Sequence, residues 1–361
     1  MPPTRPTFPT LDCLRGAAAL LIVYHHQRTI GMSNAPAGAY LAVDLFFLIS
    51  GFVLAHAYQQ RLLDGLEPLA FMRRRLIRLY PLYLLGIAVG LTVFLAFGRM
   101  TPAHPANAVE FVRAVVFALF MAPTLTSDPS VLAFPLNPPS WSLFFELFIN
   151  LVWATLALRL STRKLMLVCA GSALALAVWA WRTGGLNLGF QTFSFAAGVP
   201  RVAFSFFFGV VIYRLHAAGK LPRLKLHPLW AVIGAVALLT FPPSGQFAWL
   251  WALLLVTVAF PALLVIGACS REPRGKLATV FSLSGRASYP LYAIHEPLVI
   301  GLLMAAKFWA WPVAVWEPTI GMVFPLALAL VSIWIAKAYD APMARWLSGL
   351  RLPVRSAEAL A

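Results

Sequence analysis

The sequence predicts an all-α polytopic membrane bundle of about ten transmembrane helices, and three observations carry that prediction. The 361-residue chain is 61% hydrophobic and only 11% charged, with a mean hydropathy of +0.81, a composition foreign to soluble domains. Apolar runs long enough to cross a hydrocarbon core of about 30 Å recur from end to end. The basic residues behind the net charge of +16 sit mostly in short segments between those runs, as cytoplasmic loops do. Nucleic acid is thereby excluded as the reason for the charge. What remains suits a lipid bilayer with anionic head groups or an anionic substrate. Cys13, Cys169 and Cys269 are far apart with no CxxC spacing, so no metal site, redox pair or disulfide framework is expected.

The elements follow in order as one integral membrane domain, residues 1–361. The first span covers about 11–27; the Pro/Thr-rich stretch before it lacks a small-residue cleavage site, so the span is expected to be retained. A second span, 39–57, leads into a basic loop holding Arg61, Arg73, Arg74, Arg75 and Arg78. That loop is expected to be cytoplasmic, which places the N-terminus inside as well. The third span, 79–97, exits to a region, 98–139, expected to lie on the outer side. Within it 109–122 is apolar but too short for a comfortable crossing, and is expected to be interfacial or re-entrant. Spans 140–158, 165–181, 198–213, 228–241, 246–268, 288–306 and 313–336 complete the set, with both termini cytoplasmic in a bacterial inner membrane. No repeat of solenoid length and no pseudo-symmetric halves are visible.

Ionisable residues at membrane depth are expensive and by default mark function. In the first span Arg15 and His26 are eleven residues apart, about three turns, and so share a face about 16 Å apart. Asp12 lies within about 60° of that stripe, while His25 is rotated from it by about 80°. The alternative is a pair of end residues snorkelling to opposite interfaces. Asp44 stands in an aromatic second span ahead of Ser50 and Gly51 and needs a partner; Arg15 and His26 are candidates. Arg75 and Arg78 form a fork on one helix side that suits phosphate oxygens, though topology signalling explains them too. After Pro138-Pro139, Ser142 and Glu146 fall one turn apart beside Trp141. Ser288, Tyr292 and His295 lie within about 60° of one another on a helix in which Pro290 occupies the first turn and Pro297 makes a kink.

In this order the clusters resemble the membrane acyltransferase-3 family, which moves acyl groups onto sugars and other hydroxyl acceptors. The matching stretches are Arg15 with His26 after ten residues, FFLISGF after Asp44, the Arg75–Arg78 pair before Pro81, PSWSLFFE, SYPLYAIH and the closing YDAPMARWL. The resemblance implies that Arg15 and His26 are essential for transfer and that Arg75 and Arg78 bind the donor. It further implies acyl-CoA, first of all acetyl-CoA, as donor substrate with no permanently bound cofactor, and a carbohydrate or lipid-linked glycan as acceptor. No soluble esterase-like domain is expected after the spans, and the chain is expected to act as the stand-alone form. A histidine with a pKa near 6.5 can take the acceptor proton, making His26 the base, with Asp44 or Glu146 to orient it or to pair with Arg15, and His295 a further catalytic candidate. Asp12, Trp141, Ser142, Ser288 and Tyr292 support these groups. Direct transfer and an acyl-histidine intermediate both fit. A small secondary metabolite such as a macrolide is an alternative acceptor, and a transporter or flippase is the alternative class.

Overall fold

The computed structural model describes residues 8–30, 35–98, 107–311 and 313–350. Among them it contains helices and one isolated β-bridge, Leu132 with Gln191. Eight helical stretches are long and apolar enough to span a membrane: Ala39–Leu63, Pro68–Phe97, Ser140–Ala157, Thr162–Thr183, Thr192–Ala217, Ala248–Cys269, Gly275–Phe308 and Thr319–Gly349. The first predicted span is also a helix, α1 (Pro9–His26), which carries Asp12, Arg15, His25 and His26. The predicted span 228–241 is only the 12-residue helix α8 (Leu229–Thr240). At about 1.5 Å per residue it reaches roughly 18 Å, short of a full crossing. The segment 109–122 likewise forms a 12-residue helix, α4 (Ala108–Leu119), in which the Asn107 side chain caps the helix by accepting from the Glu110 backbone N–H.

Helix ends depart from the hydropathy boundaries in a consistent way. α3 (Pro68–Phe97) starts eleven residues before the predicted span at 79, so Arg73, Arg74, Arg75 and Arg78 stand on a helix and not in a loop. α11 (Gly275–Phe308) starts thirteen residues early, so Pro290 is mid-helix and not in a first turn. Hydropathy marks where a helix enters an apolar solvent; Arg, Lys and Leu are good helix formers that carry it past that point.

Small residues let the key helices approach closely. A β-carbon on Gly16 of α1 would meet Ser284 of α11 at 2.6 Å, and one on Gly285 would meet Asp12 at 2.5 Å. The same reciprocal fit joins α2 (Ala42–Leu63) to α7 (Gly198–Ala217), where Gly51 faces the Phe206 backbone and Gly209 that of Leu48. The core holds α1, α2, α3, α5 (Ser140–Val152), α7 and α11 in contact with one another. The connections 120–139 and 184–197 pair through Ala133 N–H to Phe190 O and Thr192 N–H to Val131 O, both 2.9 Å. Together they wall one end of the bundle.

Candidate active site

His25 and His26 occupy the last turn of α1, and the 100° step between them sends them to different neighbours. His25 Nδ1 lies 2.8 Å from the carbonyl oxygen of Pro36. His26 Nδ1 pairs with the carboxylate of Glu296, while its ring meets that of His295 edge-on, centroids 4.9 Å apart. His295 is fully buried, and its Nδ1 lies 2.8 Å from the Tyr292 carbonyl oxygen. Sequence reading brought His26 and His295 forward, and the fold places them side by side. The acid that His26 meets, however, is neither Asp44 nor Glu146. It is Glu296, the neighbour of His295 in a segment already singled out, and the rule that flags intramembrane ionisable groups applies to it equally.

Arg15 pairs with neither of those acids. Its guanidinium lies 3.6 Å from Asp12 and donates to Ser288 Oγ at 3.3 Å. Glu146 instead accepts from Arg75 at 2.6 Å and from Ser50 Oγ at 3.0 Å, all on one carboxylate oxygen. Arg78 pairs with Asp340, which follows α12 (Val313–Ile335), and lies over the Tyr289 ring. The two arginines of the predicted fork thus each meet a carboxylate of their own.

Asp44 meets neither Arg15 nor His26. It accepts a two-point hydrogen bond from Arg201 on α7, with both side chains essentially unexposed. A third nitrogen of Arg201 donates to Leu188 O at 2.5 Å, and the guanidinium lies 4.9 Å from the Trp141 ring centre. Burial of a fully hydrogen-bonded planar pair beside an aromatic face defines one geometry. Arg201, the lone charge in an apolar span, is the counter-ion that sequence reading missed. Ser142 Oγ and Tyr292 OH are 2.7 Å apart, and Tyr292 also donates to Pro139 O.

These groups line two cavities. One, of about 490 Å³, takes in His25, His26, Tyr40, Trp141, Arg201 and Glu296. The other, of about 600 Å³, takes in Arg15, Arg74, Arg75, Arg78, Glu146 and Ser288. Val43 and Tyr292 line both, so the cavities meet at those two side chains. The stripe on α1 thus joins two chambers, Arg15 in the arginine cavity and His26 in the histidine cavity. The first cavity is lined by four guanidinium groups and the second by an imidazole paired with a carboxylate.

A family model described as an acyltransferase domain matches residues 8–337. The chain is 41% identical over 188 residues to protein 2 in the picA locus of Rhizobium radiobacter, covering 49% of this chain and 95% of that protein. It is 29% identical to the exopolysaccharide production protein ExoZ of Rhizobium meliloti, covering 75% of this chain and 77% of that one. It is 34% identical over 117 residues to the O-acetyltransferase OatA of Staphylococcus aureus, covering 31% of this chain and 17% of OatA. No solved structure matches. With the match running across nearly the whole chain, the protein belongs to this acyltransferase family and is a membrane O-acyltransferase.

Proposed function

We propose that the protein transfers an acyl group, acetyl in the first place, from cytoplasmic acyl-CoA to a hydroxyl of a sugar in a cell-surface or exported glycan. The observation that carries this reading is the meeting of a four-arginine cavity with a His26–Glu296 cavity at Tyr292 and Val43. The phosphates of acyl-CoA suit Arg74, Arg75 and Arg78, leaving the thioester near the junction. Glu296 holds the His26 Nδ1 proton, so Nε2 is the basic nitrogen. His26 takes the proton of the acceptor hydroxyl, the oxygen attacks the thioester carbonyl, the C–S bond breaks and CoA leaves as the thiol. The similarity to an exopolysaccharide production protein and to an O-acetyltransferase supports a glycan hydroxyl as acceptor. The clustering of basic segments supports a cytoplasmic arginine face and residence in the bacterial cytoplasmic membrane.

The test is twofold. Purified protein supplied with acetyl-CoA and envelope glycan extract is expected to release CoA thiol, whereas a transporter would release none. Mass spectrometry of envelope glycans with and without the gene is expected to show a shift that gives acyl length and acceptor together. Absence of both overturns the proposal.

A further inference from the structure

His26, His295 and Glu296 present ligand-capable atoms that all lie within 4.8 Å of one another. His295 is fully buried and its Nε2 has no hydrogen-bond partner. Its other nitrogen lies 2.8 Å from the Tyr292 carbonyl oxygen. That contact requires the ring proton there, so the buried Nε2 carries a lone pair and is a potential ligand atom. A histidine donating one N–H to a backbone carbonyl is the usual arrangement behind a metal-bound imidazole. Two imidazoles and one carboxylate with room for water form a donor set that suits zinc. The histidine cavity, which Glu296 and His26 line, supplies both the water and the access.

We propose that these three residues form a binding site for a zinc-class divalent cation, and that occupancy switches acyl transfer off; the second half rests on His26 being the base. A zinc ion with bonds of about 2.0–2.2 Å fits among ligand atoms this close after small side-chain rotations. It replaces the proton that His26 and Glu296 share in the metal-free pair. A neutral imidazole ligated through one nitrogen carries its proton on the other, so His26 keeps no lone pair for the acceptor hydroxyl. The same three side chains thus serve either as base, orienting acid and neighbour, or as a metal cage.

The experiment uses the full-length protein in detergent, stripped with a chelator and titrated with Zn²⁺ against a chromophoric indicator, with Co²⁺ as a spectroscopic probe. One ion per chain is expected, with Co²⁺ giving the absorption of a four-coordinate nitrogen–oxygen site. His295→Gln and Glu296→Gln are each expected to weaken binding about tenfold or more, while His25→Gln keeps it within about twofold. Glu296→Gln preserves side-chain size, so it carries the test if His295→Gln fails to fold. Less than half an ion per chain, or unchanged affinity in Glu296→Gln, overturns the site. Zinc at saturation is expected to stop CoA release, with recovery on adding EDTA; undiminished release overturns the switch. Stoichiometric, Glu296-dependent binding in protein that never releases CoA supports the site and counts against the acyl-transfer reading instead.

Discussion

Replacing Glu296 by Gln tests the pairing on which the catalytic reading depends. The change keeps the side chain's shape but removes the charge facing His26 Nδ1, in a carboxylate only 8% exposed. Two consequences are expected. The amide can present its N–H to His26 and favour the wrong tautomer, turning the basic nitrogen away from the acceptor. The imidazolium formed during transfer also loses its counter-charge. Loss of an oriented general base costs about 10²–10⁴ in rate, and an amide in place of an orienting carboxylate reaches the upper part of that range in serine proteases. The drop should fall on kcat. KM for acyl-CoA should hardly move, since Glu296 lines the histidine cavity and not the arginine cavity. The assay is thiol release from acetyl-CoA by purified protein with an excess of acceptor, alongside thermal unfolding to show that the variant is folded. A folded Glu296→Gln retaining more than about a tenth of kcat would refute the assignment of Glu296 as the orienting acid.

Four further outcomes are expected. His26→Ala should abolish transfer while His25→Ala keeps a substantial fraction, because only His26 faces Glu296 and His295; the reverse ranking in the same assay would sink the stripe on α1. Arg75→Lys and Arg78→Lys keep charge but lose the planar fork, so KM for acyl-CoA should rise several-fold with folding intact; unchanged KM in the double variant makes them topology signals only. Asp44→Asn alone leaves Arg201 as a buried unpaired cation and should cost about 3–5 kcal/mol of stability, whereas Asp44→Asn with Arg201→Leu should recover part of the lost melting temperature; no recovery would mean that the pair is not coupled. A cysteine introduced at the exposed Ser130 should react with an impermeant reagent added outside intact cells, and labelling only after permeabilisation would invert the proposed topology.

How much was legible beforehand divides along a physical line. Composition and apolar runs are local properties, and they determined the all-α membrane bundle and the approximate place of its helices. Helical periodicity is also local, and with the motif spacing it separated His26 from His25 and put Arg15 on the stripe, because eleven residues make about three turns wherever the helix sits. The arginine fork belongs with these. Partnerships across helices do not. Asp44 and Arg201 are 157 residues apart, Arg78 and Asp340 are 262 apart, and His26 and Glu296 stand on different helices. Which acid meets which base follows from how α1 seats on α11 through Gly16 and Gly285, and α2 on α7 through Gly51 and Gly209. Those close approaches fix helix rotation and depth, so they hand Glu296 to His26 and Arg201 to Asp44. A single span shows that a buried charge needs a partner, since the penalty for lacking one is set by the apolar surroundings. Only the packed bundle selects it, because any of several acids at the same depth would satisfy that need.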